Sequence, residues 1–554
     1  MVNAISENSS LILAAEDCSP EEFEKLHYFS KQEQRFISNL IAHGPVLLKG
    51  ARGSGKSALM IEASRRMYPE NNLSSTFGIY ISLRHLELLR SDGKKYEIML
   101  CQLIIDAVNK TVIKAGNLFD FEALPNITSL QRELSSLSSA SGKRIVILFD
   151  DAAHIGREAP LHEFFDIFRT LSSSTISCKA AIYPGVTNFG TRFDVYNDAT
   201  VIDVSRNDEL KDYNTNFAEI IRKRFYQQLP EESFSGQFGL ENVAGFMGRA
   251  VLGNMRGFIF AWNSLSENCG EHKISLAHIT KTLIDLASNY YWPLIEELKP
   301  KLGIYAPMLD PAREIAESIF QQAGEQNKQN VLILREIAQR LSKPLELLEY
   351  TGFISIRDVS RAMKSRGRGT RYSLNLCTLL EKTTGARVTN EIYTRWLNEQ
   401  NERNEPLELH KTSKLFKIQL PELPEHGEML ILNEDISKLK KSHAYPYGLT
   451  ERKIDILKAA GYLTVSELVE ASDESLLNLK EIGMENLKRI RSTVAQAIGN
   501  AAAQTVVSEF ADYLIAMGGK VGKSFVHKVC SEDFSPQKYQ RTKVLTTNGV
   551  NLCG

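Results

Sequence analysis

The sequence predicts an α/β fold over residues 1–208, in which a parallel β-sheet carries helices on both faces. Short apolar runs recur there, each typical of a buried strand: Pro45–Leu48, Phe77–Leu83, Ile145–Phe149 and Cys178–Tyr183. Helix-like stretches separate them, among them Ser19–His43, which has a good N-terminal signal, and the amphipathic Tyr96–Lys114. Strands that alternate with helices in this way imply a parallel sheet covered on both sides.

The composition is that of an ordinary soluble globular chain, with 43% hydrophobic and 24% charged residues and a formal net charge of −1. A length of 554 residues suggests three or four domains. The seven cysteines lie far apart without a C-x-x-C pair, which disfavours a zinc site or a disulfide framework. Because the sequence has no signal-peptide pattern and no spanning apolar stretch, we expect a cytoplasmic protein without a membrane partner.

The first apolar run leads into the segment Gly50–Ser57, which fits the P-loop pattern G-x-x-x-x-G-K-[ST] at every fixed position. A helix-like stretch follows from Ala58, so the strand, the glycine loop and the helix occur in the required order. In such a loop backbone N–H groups cradle phosphates, the lysine reaches the β and γ phosphates, and the serine hydroxyl binds Mg²⁺. A chance match in a Gly/Ser loop is the alternative. The predicted ATP-binding residues are Gly50, Gly53, Ser54, Gly55, Lys56, Ser57 and Ala58.

A second acidic element follows on the strand Ile145–Phe149, which runs into Asp150-Asp151. This is a Walker B pattern, in which Asp150 would hold Mg²⁺ together with Ser57, and Asp151 would orient the attacking water. We therefore predict Lys56 and Asp151 as catalytic residues. Since aspartate is one methylene shorter than the glutamate that many such ATPases have here, we expect slow hydrolysis. The alternative is a strand that merely ends in a solvated pair of aspartates.

Two weaker candidates lie further along the chain. Thr187 or Asn188 follows the strand Cys178–Tyr183, and ligands bind beyond the carboxyl ends of parallel strands, so either side chain is a candidate γ-phosphate sensor. Arg256 stands at the start of a predicted helix and could reach the nucleotide from a lid. An ordinary turn and a surface arginine are equally good explanations of these residues.

Together these motifs, from Gly50–Ser57 to Gly253–Arg256, resemble AAA+ ATPases in order and spacing. The set is most similar to the origin-recognition-complex-type branch and the bacterial STAND-like branch, over residues 20 to 380. The resemblance implies an ATPase core at 1–208, a helical lid at 209–302 and a winged helix at 303–381. Asp150-Asp151 departs from the Asp-Glu usual in that branch, which questions rapid turnover more than binding.

The segment 303–381 itself predicts three helices, at Pro311–Ala323, Val331–Leu341 and Pro344–Tyr350, and then a β-hairpin. The residues 357–371, called the wing below, contain six basic residues and one acid, Asp358: the basic residues are Arg357, Arg361, Lys364, Arg366, Arg368 and Arg371. Such a wing could lie along the phosphates of duplex DNA with salt-sensitive affinity. A solvated basic loop, or one that docks on an acidic protein face, is the alternative.

The remaining segments are a polar linker or subdomain at 382–443, a helix-hairpin-helix domain at 444–500 and a basic tail at 501–554. The helix-hairpin-helix segment resembles the C-terminal domain of the bacterial RNA polymerase α subunit, which binds the DNA minor groove. Arg452 matches the key arginine of that family, but Asp455 and Glu485 replace its asparagine and lysine. The resemblance therefore favours protein binding at least as much as DNA binding.

These patterns lead us to expect a nucleotide-driven switch that associates with DNA, self-associates or recruits a protein effector. A replication initiator, a transposition regulator and the ATPase of an anti-phage defence system all fit, and the STAND-like resemblance favours defence. A protein-interaction scaffold with tightly bound nucleotide is the second hypothesis. A metabolic kinase is disfavoured because such enzymes do not need three accessory modules.

Overall fold

The computed structural model describes residues 14–84, 93–153, 159–186, 189, 192–206, 208–225, 229, 231–270, 272–298, 302–383, 385–397, 405–421, 435–441 and 448–494, and the short strands at 544–545 and 551–552. The chain divides into two compact units, Met1–Glu422 and Leu423–Gly554. Within the described part of the chain, no helix has both the length and the apolar character that a membrane span requires. The predicted tail at 501–554 lies outside the described residues except for the strands at 544–545 and 551–552.

A five-stranded parallel sheet forms the centre of the first unit, with the order β2-β3-β4-β1-β5. Its strands are β1 (Val46–Lys49), β2 (Thr76–Ser82), β3 (Arg144–Ala153), β4 (Ile176–Ile182) and β5 (Thr200–Asp203). The four predicted apolar runs all form strands of this sheet. In the interior strands β3 and β4, apolar side chains that point to either face of the sheet are buried, as expected of a parallel sheet covered on both faces.

Helices cover the two faces of the sheet and bury separate apolar clusters. They are α1 (Pro20–Leu26), α2 (Lys31–Ile41), α3 (Lys56–Arg65), α4 (Gly93–Lys114), α5 (Ile127–Ser141), α6 (Ala159–Leu171) and the short α7 (Val195–Asp198). The predicted helical stretch Ser19–His43 is two helices. Ser19 and Ser30 each begin one with a capping box, and the second cap stops the first helix from continuing. The α/β P-loop fold predicted for this region is confirmed.

The lid (residues 209–302) is helical in its described residues. It contains α8 (Tyr213–Arg224), α9 (Leu240–Ala250), α10 (Met255–Cys269), α11 (Leu276–Leu286) and α12 (Trp292–Glu296), with a π-helical turn before α12. The side chain of Asn254 caps α10 by accepting a hydrogen bond from the Gly257 N–H (3.0 Å). The helix that the sequence predicts at Arg256 therefore begins where expected.

The next segment contains α13 (Leu309–Glu325), β6 (Asn330–Leu334), α14 (Arg335–Arg340), α15 (Ser342–Thr351), β7 (Ile354–Ala362) and β8 (Arg368–Leu374). The prediction of a helix over Val331–Leu341 is wrong in its first half. Val331 to Leu334 belong to β6, which pairs antiparallel with β8. A four-residue apolar run cannot be assigned to helix or strand by periodicity. Here the run forms a strand because it pairs with β8.

The polar segment that follows packs onto the same unit. It contains α16 (Leu376–Leu380), α17 (Asn390–Leu397) and β9 (Leu407–Leu409). β9 pairs parallel with β6, so the second sheet has the order β7-β8-β6-β9. α17 packs on α9 of the lid, where the Tyr393 ring lies 4.8 Å from that of Phe246.

The second unit has its own apolar core, built from leucine, isoleucine and valine side chains of short helices. These helices are α18 (Glu451–Ala459), α19 (Val465–Glu470) and α20 (Asp473–Leu477), followed by a helix whose described part runs over 484–494. A turn over 478–483 connects the last two of them, at the place where the sequence predicts a hairpin. Further on, two-residue strands at Val544–Leu545 and Asn551–Leu552 pair antiparallel.

Candidate functional site

The P-loop joins the carboxyl end of β1 to the N-terminus of α3. Gly53 and Gly55 have φ angles of +83° and +100°, which residues with a Cβ rarely adopt, so the loop geometry explains these two glycines. The Gly50 N–H donates to the Ile182 carbonyl at the end of β4 (3.2 Å), which anchors the start of the loop to the sheet. Successive backbone amides and the N-terminus of α3 thus form an anion-binding concavity.

Lys56 is buried inside this loop. Its Nζ donates to the carbonyl oxygens of Gly50 (2.7 Å) and Ala51 (3.1 Å) and lies 3.8 Å from the centre of the Tyr183 ring. Burial lowers the pKa of the Lys56 ammonium to about 8, although the carboxylates of Asp151 and Asp150 oppose this shift. The lysine is therefore a poorly solvated cation that a bound phosphate would stabilise.

Asp150 is fully buried beside the P-loop. Its carboxylate accepts hydrogen bonds from the Tyr80 hydroxyl (2.8 Å) and from the Asp151 N–H (2.9 Å). The nearby Ser57 hydroxyl also favours its ionised form. Burial and the neighbouring charge of Asp151 raise the pKa of Asp150 to about 6, against the effect of these hydrogen bonds. The two predicted metal ligands, Asp150 and Ser57, are thus neighbours, close enough for the Ser57 hydroxyl to affect the pKa of Asp150.

Asp151 lies at an irregularity in β3. The strand pairs Phe149 with Ala180 and then Ala153 with Ile182, so β3 has two extra residues between these pairs. Asp151 has a φ angle of +52°, in the left-handed region. Such irregularities re-aim side chains next to functional sites. The alternative of a strand that merely ends in a solvated pair of aspartates is wrong, because both aspartates are buried and β3 continues to Ala153.

The Asp151 carboxylate accepts a hydrogen bond from the Tyr183 hydroxyl (2.6 Å) and forms an ion pair with Arg84. Arg84 also lies 3.5 Å from Glu16, from the segment before α1. In this arrangement both predicted catalytic residues touch Tyr183. The strand-end rule that led to Thr187 and Asn188 would also have selected Tyr183, since it directly follows β4.

Carboxylate oxygens of Glu16, Asp150 and Asp151 all lie within 4.8 Å of one another. Mg²⁺ prefers hard oxygen ligands and keeps several of its waters, so one or two carboxylates with the Ser57 hydroxyl are a suitable donor set. The residues present therefore fit the predicted ion. Bound Mg²⁺ would neutralise charge on the phosphates and on the two crowded aspartates.

A cavity of about 400 Å³ extends from the P-loop to an apolar wall. Its polar end contains the loop residues 52–58, Arg84, Arg206 and Arg256, which suits a polyphosphate. The wall is formed by Leu26–Phe29 between α1 and α2, by Ile220, and by Met255 and Ile259 of the lid. Such a wall suits a flat purine base, and the volume is in the range of small-ligand sites. The sequence offered no motif for this wall because its residues come from separate helices.

The predicted sensors have different outcomes. Thr187 and Asn188 lie outside the described residues. Arg256 lines the cavity, and its backbone N–H donates to the Gly53 carbonyl (3.1 Å). Its positive charge contributes to lowering the pKa of Lys56, so the two cations face the same space. Arg256 is thus placed where a lid residue could contact phosphate.

Most of the basic residues of the wing have acidic neighbours. Arg357 pairs with Asp208 (2.8 Å), Arg371 with Asp358 (2.8 Å), and Lys364 with Glu405. Arg361 lies 3.5 Å from Asp358 as well. Arg366 and Arg368 are exposed and, among the described residues, have no carboxylate partner. The local charge is therefore lower than the sequence window suggested, since Asp208 and Glu405, which lie outside the window, pair with two of its basic residues.

In the second unit, Arg452 is exposed and forms an ion pair with Glu481 (2.7 Å). Glu481 has a φ angle of +74° in the turn before the last described helix. Asp455 and Glu485 are also exposed. The arginine that matches the polymerase family is thus neutralised by a carboxylate on the turn itself.

Comparisons with protein-family models and with curated proteins found no match. Among solved structures, the chain is similar to the Aeropyrum pernix ORC1 protein in complex with DNA, with 14% identity, a TM-score of 0.32 and coverage of 71% of this chain and 96% of that chain. The Aeropyrum pernix ORC2 protein in ADPNP–ADP complexes gives 10% identity, a TM-score of 0.34 and coverage of 67% and 94%. Domain III of the Thermotoga maritima replication initiation protein DnaA gives 17% identity, a TM-score of 0.29 and coverage of 48% of this chain and 95% of that chain. At these identities and TM-scores the likeness supports no inference about activity or partners. The parallel strand order and the P-loop geometry are those of an α/β P-loop NTPase fold.

Proposed function

We propose that this chain is an ATP-dependent switch, which binds ATP and Mg²⁺ in the cavity at the P-loop and transmits the nucleotide state to its other modules. The observation that carries the proposal is that both accessory segments bond directly to the loop backbone. The Arg52 N–H donates to the Tyr350 carbonyl of α15 (3.1 Å), and the Arg256 N–H of the lid donates to the Gly53 carbonyl (3.1 Å). A change in the loop therefore acts on the lid and on α15 without an intermediate.

The residues have separate roles in this proposal. Lys56 leaves the Gly50 and Ala51 carbonyls and pairs with the terminal phosphates, which supplies the charge that its burial lacks. Ser57 and Asp150 hold Mg²⁺. Asp151 orients the attacking water, but its bonds to Arg84 and Tyr183 restrain it. ATP hydrolysis is consequently slow, so the ATP-bound state is long-lived, which suits a switch better than a metabolic enzyme.

Tyr183 connects the P-loop site to the segment 303–381, which contains α15 and the β7–β8 hairpin. Its hydroxyl touches Asp151, and its ring lies 5.0 Å from that of Tyr350, at the end of α15. Lys343, at the start of α15, donates to the Gly185 carbonyl (2.9 Å) just beyond β4. Movement at the γ-phosphate position is thus transmitted along α15 to the β7–β8 hairpin. The order helix, strand, two helices and hairpin supports the proposal that this module is a winged helix.

The test is the affinity for ATP measured by calorimetry in wild type and in Lys56→Ala, with sizing of the protein in each state. We expect Lys56→Ala to lose ATP binding and the ATP-dependent change in assembly. The exposed Lys114→Ala, which loses only a surface ion pair with Glu70, is the matched control. Equal affinity in wild type and Lys56→Ala would refute the site assignment.

Duplex DNA is the proposed macromolecular partner. Because most basic residues of the wing are in ion pairs, the salt dependence of DNA binding tests this proposal. If only Arg366 and Arg368 contact phosphates, log K against log salt has a slope of about −2, whereas contact by all six basic residues gives about −5. Arg366→Glu with Arg368→Glu should abolish binding. Arg132→Glu, a charge reversal at an exposed arginine of α5, serves as the control. Absence of binding at low salt refutes the DNA proposal.

The second candidate function is a scaffold that holds nucleotide and binds proteins. The ion pairs of the wing and the Arg452–Glu481 pair favour it, because they leave little positive charge for DNA. It predicts nucleotide-dependent capture of a protein effector with no DNA affinity. An anti-phage role for either form predicts that the chain, expressed with its genomic neighbours, restricts phage growth, and that Lys56→Ala removes this restriction.

A further inference from the structure

Three consecutive carbonyl groups of the P-loop accept hydrogen bonds from donors outside the loop. Asn254 Nδ2 donates to the Arg52 carbonyl (2.7 Å), and the Arg256 N–H donates to that of Gly53 (3.1 Å). Arg206 Nη1 donates to the Ser54 carbonyl (3.0 Å). Two of these donors lie at the start of α10 in the lid, and the third follows β5. Neither Asn254 nor Arg206 has a catalytic or metal-binding role in the proposed function, although Arg206 also lines the polar end of the cavity.

These bonds determine which way the loop amides point. A trans peptide group is planar, with its C=O and the following N–H on opposite sides. Fixing the carbonyls of Arg52, Gly53 and Ser54 therefore fixes the N–H groups of Gly53, Ser54 and Gly55, which are amides that cradle phosphates in such loops. Asn254 lies behind the loop, because it lines a separate small cavity with Gly50 and Ala51 rather than the main one.

Arg206 connects further segments to the same point. Its Nη1 also donates to the Gly253 carbonyl (2.9 Å), and its Nη2 pairs with Glu33 of α2. Only 12% of the Arg206 side chain is exposed, and its ion pair is correspondingly desolvated. The guanidinium thus connects α2, the P-loop and the turn between α9 and α10. Planar, multiple hydrogen bonding of this kind is available to arginine and not to lysine.

We propose that Asn254 and Arg206 are positioning residues, which set the affinity of the P-loop for the β and γ phosphates by holding its peptide groups in the binding orientation. Nucleotide affinity then depends on docking of the lid, and lid docking depends on nucleotide by the same factor. This inference rests on the proposed function, because it deepens the role of the same site. It adds no catalytic group.

The test measures the affinities for ATP, ADP and AMP in Asn254→Ser and Arg206→Lys. Serine retains the N-cap of α10 but is too short to reach the Arg52 carbonyl, so the helix start is preserved. Arg249→Lys is the matched control. Arg249 is a buried lid arginine that bonds to Asn214 (2.6 Å) and to the Asp208 carbonyl (3.1 Å) but not to the P-loop. Thermal unfolding without nucleotide reports the folding of each variant.

We expect each variant to bind ATP and ADP about tenfold more weakly, because it loses one charge-assisted or well-formed hydrogen bond. Its affinity for AMP should stay within about twofold of that of wild type. Arg249→Lys should keep wild-type affinity even if it lowers the melting temperature. If both variants retain wild-type affinity while Lys56→Ala loses it, the positioning role is refuted and the ATP site stands. If Lys56→Ala also binds normally, the proposed function itself fails. An equal loss in Arg249→Lys assigns the effect to lid stability and overturns the inference.

Discussion

Asp150→Asn should stabilise the nucleotide-free protein and should abolish the Mg²⁺ dependence of ATP binding. The carboxylate of Asp150 is fully buried beside that of Asp151, and these two causes raise its pKa from 3.8 to about 6. A carboxyl group whose pKa is higher in the folded than in the unfolded state disfavours folding when it is ionised. Asparagine has nearly the same shape and carries no charge, so it removes this conflict.

The size of the effect follows from the pKa. Ionising Asp150 costs the folded state about 3 kcal/mol at any pH well above 6. The cost shrinks as the pH falls through 6 and is absent below 3.8, where the group is protonated in both states. Losing one of the hydrogen bonds that the carboxylate accepts offsets about 1–2 kcal/mol. We therefore expect Asp150→Asn to be about 1–2 kcal/mol more stable than wild type at pH 8.

Urea unfolding without nucleotide or divalent ions, at pH 8 and at pH 5, measures this difference. The advantage of the variant should fall by about 1.5 kcal/mol at pH 5, where Asp150 is largely protonated in the folded wild type. Asp106→Asn, at an exposed aspartate of α4, is the control for the general effect of removing one carboxylate. If Asp150→Asn were no more stable than wild type at pH 8, or if its advantage were independent of pH, the reasoning would be wrong.

Three further substitutions have defined outcomes. Asp151→Asn should leave ATP affinity within about twofold and stop turnover, as measured by phosphate release; residual turnover would remove Asp151 from the mechanism. Tyr183→Phe keeps the ring beside Lys56 and removes the hydroxyl bond that restrains Asp151, so turnover should rise several-fold with little change in ATP affinity; an unchanged or lower rate would contradict the restraint. Glu16→Gln should weaken the Mg²⁺ dependence of ATP binding several-fold while metal-free binding is retained, as seen by titration with Mg²⁺; the same loss without metal would show that Glu16 does not act through the ion.

The P-loop and the sheet strands were predictable because their signals are local. Gly53 and Gly55 have left-handed backbones that favour glycine, and the apolar runs of β1 to β4 are buried on both faces of the sheet. β6 was not predictable in the same way. Val331 to Leu334 are equally suited to a helix or a strand, and pairing with β8 decided between them.

Charge was predicted least well, because it depends on segments that are distant in sequence. The window 357–371 has a strongly basic count, yet Asp208 and Glu405 neutralise two of its members from far along the chain. In the same way Arg452 meets Glu481, and Asp151 meets Arg84. A count within a window omits every partner that folding brings from outside it.

Residue type and spacing along the chain were sufficient to predict the glycine loop with its lysine and serine, and the strand that carries the two aspartates, because each is one continuous stretch whose backbone geometry follows from its own residues. Tertiary packing alone placed Tyr183 between Lys56 and Asp151, built the apolar wall of the cavity, and brought Asn254 and Arg206 to the P-loop carbonyls. Such contacts join residues up to about two hundred positions apart. Since hydrogen bonds and burial depend on proximity in space, no local pattern records them.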